Sequence, residues 1–183
     1  MDDDSWTGHY DGLCFSLLLG AEPGEVVRSL CPPDLLMFPS AAAAAAWVSD
    51  SVGFDRTWLA TGKVGDWTFV WEDNGFQGAD PHRAASLAAE STFVSMFWNV
   101  NSLMSFTLAR DGQIVRQFDP LFHDDDPSPV PAIGDPLPDE ADLDWETGPR
   151  LSGLTLLSRL TGTEPANPAW LDRSEVTFWG HTF

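Results

Sequence analysis

Residues 103–119 read LMSFTLARDGQIVRQFD, two strand-like runs joined by Asp111-Gly112. An Asp-Gly pair accepts the positive φ angles that a two-residue hairpin turn demands, so the flanking runs are expected to pair antiparallel. FVSMFWN (93–99) precedes them across a turn at Asn99 to Ser102, which makes a three-strand meander. VGDWTFVWED (64–73) alternates cleanly: Trp67, Phe69 and Trp71 share one face, and Asp66, Thr68, Val70 and Glu72 share the other. This strand is expected beside the meander. Phe93, Phe97, Trp98, Met104, Phe106, Leu108 and Phe118 are expected inside.

Around this sheet the punctuation predicts helices. LCFSLLLG (13–20) reads as a buried strand, and EPGEVVRSL (22–30) as a short helix with Pro23 in its first turn and Val26, Val27 and Leu30 on one side. LLMF (35–38) has strand character. SAAAAAAW after it reads as a helix capped by Ser40, with a flexible alanine tract as the alternative. Asp80-Pro81 opens DPHRAASLAAES (80–91) as a capped helix whose small stripe, Ala84, Leu87 and Ala88, suits close approach to a sheet. RLSGLTLLSRLTG (150–162) is amphipathic through Leu151, Leu154, Leu157 and Leu160 and closes on Gly162. EVTFWGHTF at the end reads as an edge strand.

Residues 119–149 break this pattern. They hold eight Asp, two Glu, seven of the fourteen prolines and no Lys or Arg. Such a stretch sustains neither helix nor strand, and it reads as a mobile surface loop pinned locally by Leu143 and Trp145. The elements together predict one α+β domain over residues 1–183. Its core is an antiparallel sheet of about five or six strands, with helices packed on one face and the acidic loop before the C-terminal helix.

Charge narrows the function. The chain carries 28 acidic and nine basic residues, a formal net charge of −19, and Lys63 is its single lysine. Nucleic-acid backbones and anionic membranes both require clustered bases, so neither is expected as a partner. A basic protein partner fits, steered by the field. MDDDSWTGHYDG lacks the basic start of a signal peptide, and there is no apolar run of about 18 residues, so a cytoplasmic soluble chain is expected. Cys14 and Cys31 sit in no CxxC or CxxH spacing and are expected to be reduced and buried, with no zinc.

No P-loop, G-x-S-x-G, H-E-x-x-H or G-x-G-x-x-G occurs, and no cofactor or metal site is expected. His123 is followed by Asp124, Asp125 and Asp126, but consecutive side chains in an extended chain diverge and do not converge on one ion. WEDNGFQGADP (71–81) fails the EF-hand register, because Gly75 follows Asp73 by two places instead of five. It reads as a strand-to-helix connector. Glu72 and Phe76 are what turning and capping leave unexplained. Glu72 could meet Glu90 or His82 only in three dimensions. If Phe76 is exposed, the connector is a contact surface; if buried, it is a plug. The aromatic face of Trp67, Phe69 and Trp71 reads as core first and as a binding groove second, since nine tryptophans exceed what a core of this size uses.

The runs CFSLLLGAEPGEVVRSL, GDWTFVWEDNGFQG and FWNVNSLMSFTLARDGQIVRQFDP, with GDPLPDE, resemble a bacterial domain family of unknown function found mainly in actinobacteria. The most specific parts are Trp67…Glu72-x-Asn74-Gly75 and Trp98-Asn99-x-Asn101. The resemblance covers roughly residues 5–165 and implies no catalytic residue. The layout is also similar, at the level of class, to the small acidic immunity proteins of bacterial toxin systems.

The expected function is therefore a non-enzymatic protein-interaction module, of immunity or inhibitor type, that binds a basic partner. Glu72, Phe76, Trp67, Trp71, Trp98, Asn99 and Glu90 are the candidate binding residues. One alternative is a small-molecule-binding protein or enzyme with a pocket between the aromatic strand face and the 81–91 helix. Another is a nucleic-acid mimic that needs parallel rows of acids on a rigid surface.

Overall fold

Antiparallel pairing organises the chain far more widely than the meander alone. The computed structural model describes residues 3–31, 34–51, 55–123, 128, 130 and 132–182. Its strands are β1 (Leu13–Leu19), β2 (Leu36–Phe38), β3 (Arg56–Val64), β4 (Trp67–Asp73), β5 (Thr92–Trp98), β6 (Met104–Arg110), β7 (Gln113–Phe118) and β8 (Thr177–Thr182). They form one sheet in the order β2-β8-β3-β4-β1-β5-β6-β7, every pair antiparallel. The class is α+β, as expected.

The expected sheet of five or six strands is corrected to eight. RTWLATGKV (56–64) shows neither an apolar run nor a clean alternation, yet it is the inner strand β3, between β8 and β4. Its threonines are buried because they bond locally: Thr57 Oγ1 donates to Asp73 O and Thr61 Oγ1 to Phe69 O, each at 2.8 Å. Hydroxyls satisfied in this way cost little inside a sheet. The C-terminal strand is not an edge either. β8 lies between β2 and β3. β1 separates β4 from the meander, so β4 pairs with β1 and β3.

Turn chemistry follows the sequence. Asp111 (φ 48°) and Gly112 (φ 73°) join β6 to β7, and Ser102 (φ 57°) closes the turn from β5 to β6. The helices are α1 (Pro23–Leu30), α2 (Ala41–Ser49), α3 (Pro81–Leu87) and α4 (Pro149–Thr161). The alanine tract is thus helical, and Ser40 Oγ accepts the Ala43 amide at 3.2 Å. Asp80 caps α3 by accepting the His82 amide at 2.8 Å. Gly162, at φ 67°, ends α4.

Helices on one face is the second correction. Leu13, Phe15 and Leu17 of β1 and Phe69 and Trp71 of β4, with Val94, Met96 and Trp98, pack into one core with Ala44 of α2, Leu154, Leu156 and Leu157 of α4, and Trp170. Leu18, Leu59, Val70 and Phe93 point the other way, onto Val26, Val27 and Leu30 of α1 and Ala84 and Ala88 of α3. Both faces are covered because both faces of the inner strands are buried. The sheet therefore stands between α3 and the aromatic face of Trp67, Phe69 and Trp71, and no groove can form between those two.

The described part of the acidic segment is tied down. Arg116 of β7 makes a two-pronged ion pair with Glu140, at 2.8 and 2.9 Å, with both side chains buried. His123 Nε2 meets the same carboxylate at 3.0 Å, and its ring stacks on Trp145 at 4.8 Å. Gln117 and Ile133 exchange backbone bonds at 3.0 and 2.8 Å. Asp124, Asp125 and Asp126 lie outside the described residues.

Candidate functional site

Glu72 is the acid that sequence left unexplained, and its geometry explains the connector. Even positions of β4 face α1 and α3, so Glu72 projects there, opposite Cys14 of β1 and Leu59 of β3. It is 2% exposed. Oε2 accepts the Gln77 amide and Oε1 the Gly78 amide, each at 2.8 Å. Gln77–Ala79 form a single 3-10 turn, whose free amides would otherwise be buried without acceptors. Burial pushes the Glu72 carboxyl above its ordinary value. The amides of Gly78 and Gln77, the Cys14 thiol and Arg83 pull it back only in part.

The connector lies flat on the sheet because its contacts are small. Ser95 Oγ donates to Gly78 O at 2.8 Å. A Cβ on Gly78 would stand 2.2 Å from Ser16 Oγ, and one on Gly75 would stand 2.7 Å from Glu72 Cβ. Asn74 takes φ 54° as the chain leaves β4, and its amide bonds Gly12 O at 3.0 Å. Burial pushes the Cys14 thiol well up and the Cys31 thiol up to about 12, so both are unreactive.

Held this way, the connector presents a rim at one end of the sheet. Phe76, 51% exposed, and Val100, 66% exposed, both line a cavity of about 170 Å³ with Asn74 and Asn99. Next to it a cleft of about 680 Å³ is lined by His9, Tyr10, Asp11, Gly12, Asp73, Asn74 and Val100. Burial pushes the Asp73 carboxyl up. Burial and the nearby Asp73 charge push the Tyr10 phenol up. This end of the sheet therefore combines exposed apolar groups, two carboxylates and one phenol.

The structure brings some of the candidate residues here and sends others elsewhere. Phe76 and Asn99 line the rim. Asn99 is also structural, since its Oδ1 accepts the amides of Asn101 and Leu103 at 2.9 and 3.1 Å. Trp98 lies beneath, fully buried, with Nε1 donating to Tyr10 O at 2.9 Å and Arg150 over its ring at 5.4 Å. Trp71 is fully buried and meets Phe15 and Tyr10 edge-on. Trp67, at the far end of β4, lines a different cleft of about 470 Å³ with Thr161 to Glu164 and Arg173. Glu90 is exposed beyond α3, His82 is exposed at its start, and no bond joins either to buried Glu72 among the described residues.

Sequence reasoning missed Tyr10, Asp11, Asp73 and Val100 as rim residues. Their one available signal was the lone tyrosine of the chain standing before an Asp-Gly pair. Among the described residues, no group of three or more His, Cys, Asp or Glu is placed to hold a metal ion. No helix among them is long and apolar enough to cross a membrane.

Residues 2–172 match a protein family described as a family of unknown function, DUF6461, and the chain belongs to that family. No curated protein matches the chain, and no solved structure matches it either.

Proposed function

We propose, starting from that membership, that the chain is a non-enzymatic protein-interaction module that receives a basic protein partner at the rim formed by Phe76 and Val100. The observation that carries this reading is the exposure of Phe76 at 51% on a connector anchored by buried Glu72. An exposed aromatic on a rigid base loses little freedom on binding, and aromatics anchor most interfaces. Asp11 and Asp73 beside it suit a lysine or arginine of the partner. The formal charge of −19 speeds the encounter with a basic surface.

The finer reading is an immunity- or inhibitor-type protein of a bacterium, working in the cytoplasm, that masks a basic surface. Its support is compositional: the acidic, tryptophan-rich layout and the resemblance to actinobacterial domains. The test is affinity capture from the native host with the wild-type chain and with Phe76→Asp/Val100→Asp. A basic protein retained by the wild type and lost by the double variant is expected. No specific protein on the wild-type chain would sink the reading.

A second reading keeps one observation of its own. The cleft of about 680 Å³ places Tyr10 and Asp73, both with raised pKa values, in one concavity large enough for a small cationic ligand. Calorimetric titration with a set of biogenic amines separates the two. Saturable heat that Asp73→Asn removes would favour this ligand reading.

A further inference from the structure

The two edges of the sheet are treated differently. Beside β7, the Gln117–Ile133 backbone exchange places the acidic segment against the edge. At the other edge β2 pairs only with β8, and among the described residues no strand lies on its outer side. An open edge carries backbone donors and acceptors ready for another chain. Here it also carries Leu36 at 49% and Met37 at 66% exposure. Adjacent strand residues project to opposite faces, so a strand laid along β2 would cover both side chains at once.

The charge around β2 selects the occupant. Asp34 precedes β2, Asp50 ends α2, and Asp55 precedes β3, all three exposed. Arg56 is the base at the end of α2, where it lies over the Trp47 ring at 4.7 Å and donates to Trp47 O at 2.9 Å, and its single charge offsets only one of the three acids. A second copy would bring a further −19 to the same edge. A three-residue edge is also too short to hold two such copies together, whereas it can seed pairing with an oppositely charged segment.

We propose that β2 accepts an extended, basic, apolar-containing segment of a protein partner as an added strand. Main-chain bonds would supply affinity, Leu36 and Met37 would supply contact area, and the surrounding acids would choose a basic segment. This inference rests on the interaction-module reading but uses a surface at a different place from the rim.

The test is an NMR titration of the labelled full chain with a short synthetic peptide of alternating lysine and valine. The expected result is shifts centred on Leu36, Met37 and Phe38 and their β8 partners Phe178, Trp179 and Gly180, with slowed exchange of outward amides. Leu36→Ser/Met37→Ser should weaken binding about tenfold or more, because it removes the apolar contact, adds no charge and keeps the backbone. Met37→Pro, checked for cooperative unfolding, should do the same by altering the edge itself. A matching peptide with glutamate in place of lysine should not bind.

Shifts confined to the rim or to residues 119–149 would overturn the proposal, as would equal binding by the edge variants. Self-association through β2 would overturn the choice of occupant. Host-partner capture that survives the β2 variants but fails in Phe76→Asp/Val100→Asp would leave the module reading standing and remove this one.

Discussion

The Glu72 carboxylate holds the Gly78 amide at 2.8 Å, six residues ahead in the chain, and so fixes how the chain leaves β4. The same group holds the Gln77 amide. Glu72→Ala would leave two buried donors without acceptors and should cost about 3 kcal/mol of stability. Urea unfolding followed by tryptophan fluorescence measures this. A loss near zero would mean that the connector finds other acceptors.

The Glu72 carboxyl also has a pH signature. Its folded pKa is raised by burial, so the folded chain holds the proton more tightly than the unfolded chain does. Stability then falls as pH rises through this window. The cost is full above the raised value and absent below the ordinary value of 4.5. On acidification from neutrality toward that value, the wild type should gain stability relative to Glu72→Gln. Parallel unfolding curves across the range test the sign, and a constant difference would refute it.

Gly78 is a packing requirement of the same connector. Gly78→Ala drives a methyl to 2.2 Å from Ser16 Oγ and 3.1 Å from Cys14 Sγ. The expected loss is about 2 kcal/mol, as for an overpacked core. Ser16→Ala in that background should recover part of it, because the closest atom is gone. A double-mutant cycle reads the coupling, and strictly additive losses would place the conflict elsewhere.

Arg116 and Glu140 fasten the acidic segment to β7. Burial alone would raise the Glu140 carboxyl, but bonds from Arg116, the Leu137 amide and His123 outweigh it and hold the group below its ordinary range. A depressed folded pKa contributes stability above the unfolded value that is lost as pH falls through the folded one. Arg116→Met leaves the buried carboxylate without its guanidinium, held only by the Leu137 amide and His123, and about 3 kcal/mol should be lost at neutral pH. His123 stacks on Trp145, so the indole emission should shift to the red when the segment detaches. Unchanged emission in Arg116→Met would show that the segment stays in place without the pair.

The rim should tolerate change that the anchor does not. Phe76→Asp/Val100→Asp removes two exposed apolar groups and should alter stability by no more than about 0.5 kcal/mol. Thermal unfolding of the double variant checks this. A large loss would reassign Phe76 from contact surface to core.

Local chemistry was legible, and long-range chemistry was not. Asp111-Gly112, Ser40 and Asp80-Pro81 act within a turn, so the sequence shows their work directly. β3 was invisible because Thr57, Thr61 and Lys63 read as polar until the bonds that satisfy the two threonines are seen. The second helical layer was missed because both periods of the inner strands are buried, and alternation then no longer marks an outside. Glu72 could be singled out as surplus to the turn, but its acceptor role needed the path of Gln77 and Gly78. Arg116 and Glu140 are separated by 24 residues, so nothing local announces their pair. Phe76 was framed as contact surface or plug, and the structure shows it half exposed. The rim around Tyr10 and Val100 comes from the ends of β1, β4 and β5, which only the strand order makes neighbours.

The position of β8 has a consequence for synthesis. β2 reaches the sheet only through β8, and β3 meets β8 across more than a hundred residues, from Thr61 to Thr177. On a translating ribosome, β2 and the outer side of β3 must therefore wait, unpaired, until β8 emerges. Long-range pairing of this kind is slow, and waiting edges are prone to join neighbouring nascent chains. Negative charge counters this early, because residues 1–118 already carry fifteen acids against six bases, which repels one half-made chain from the next on the same message.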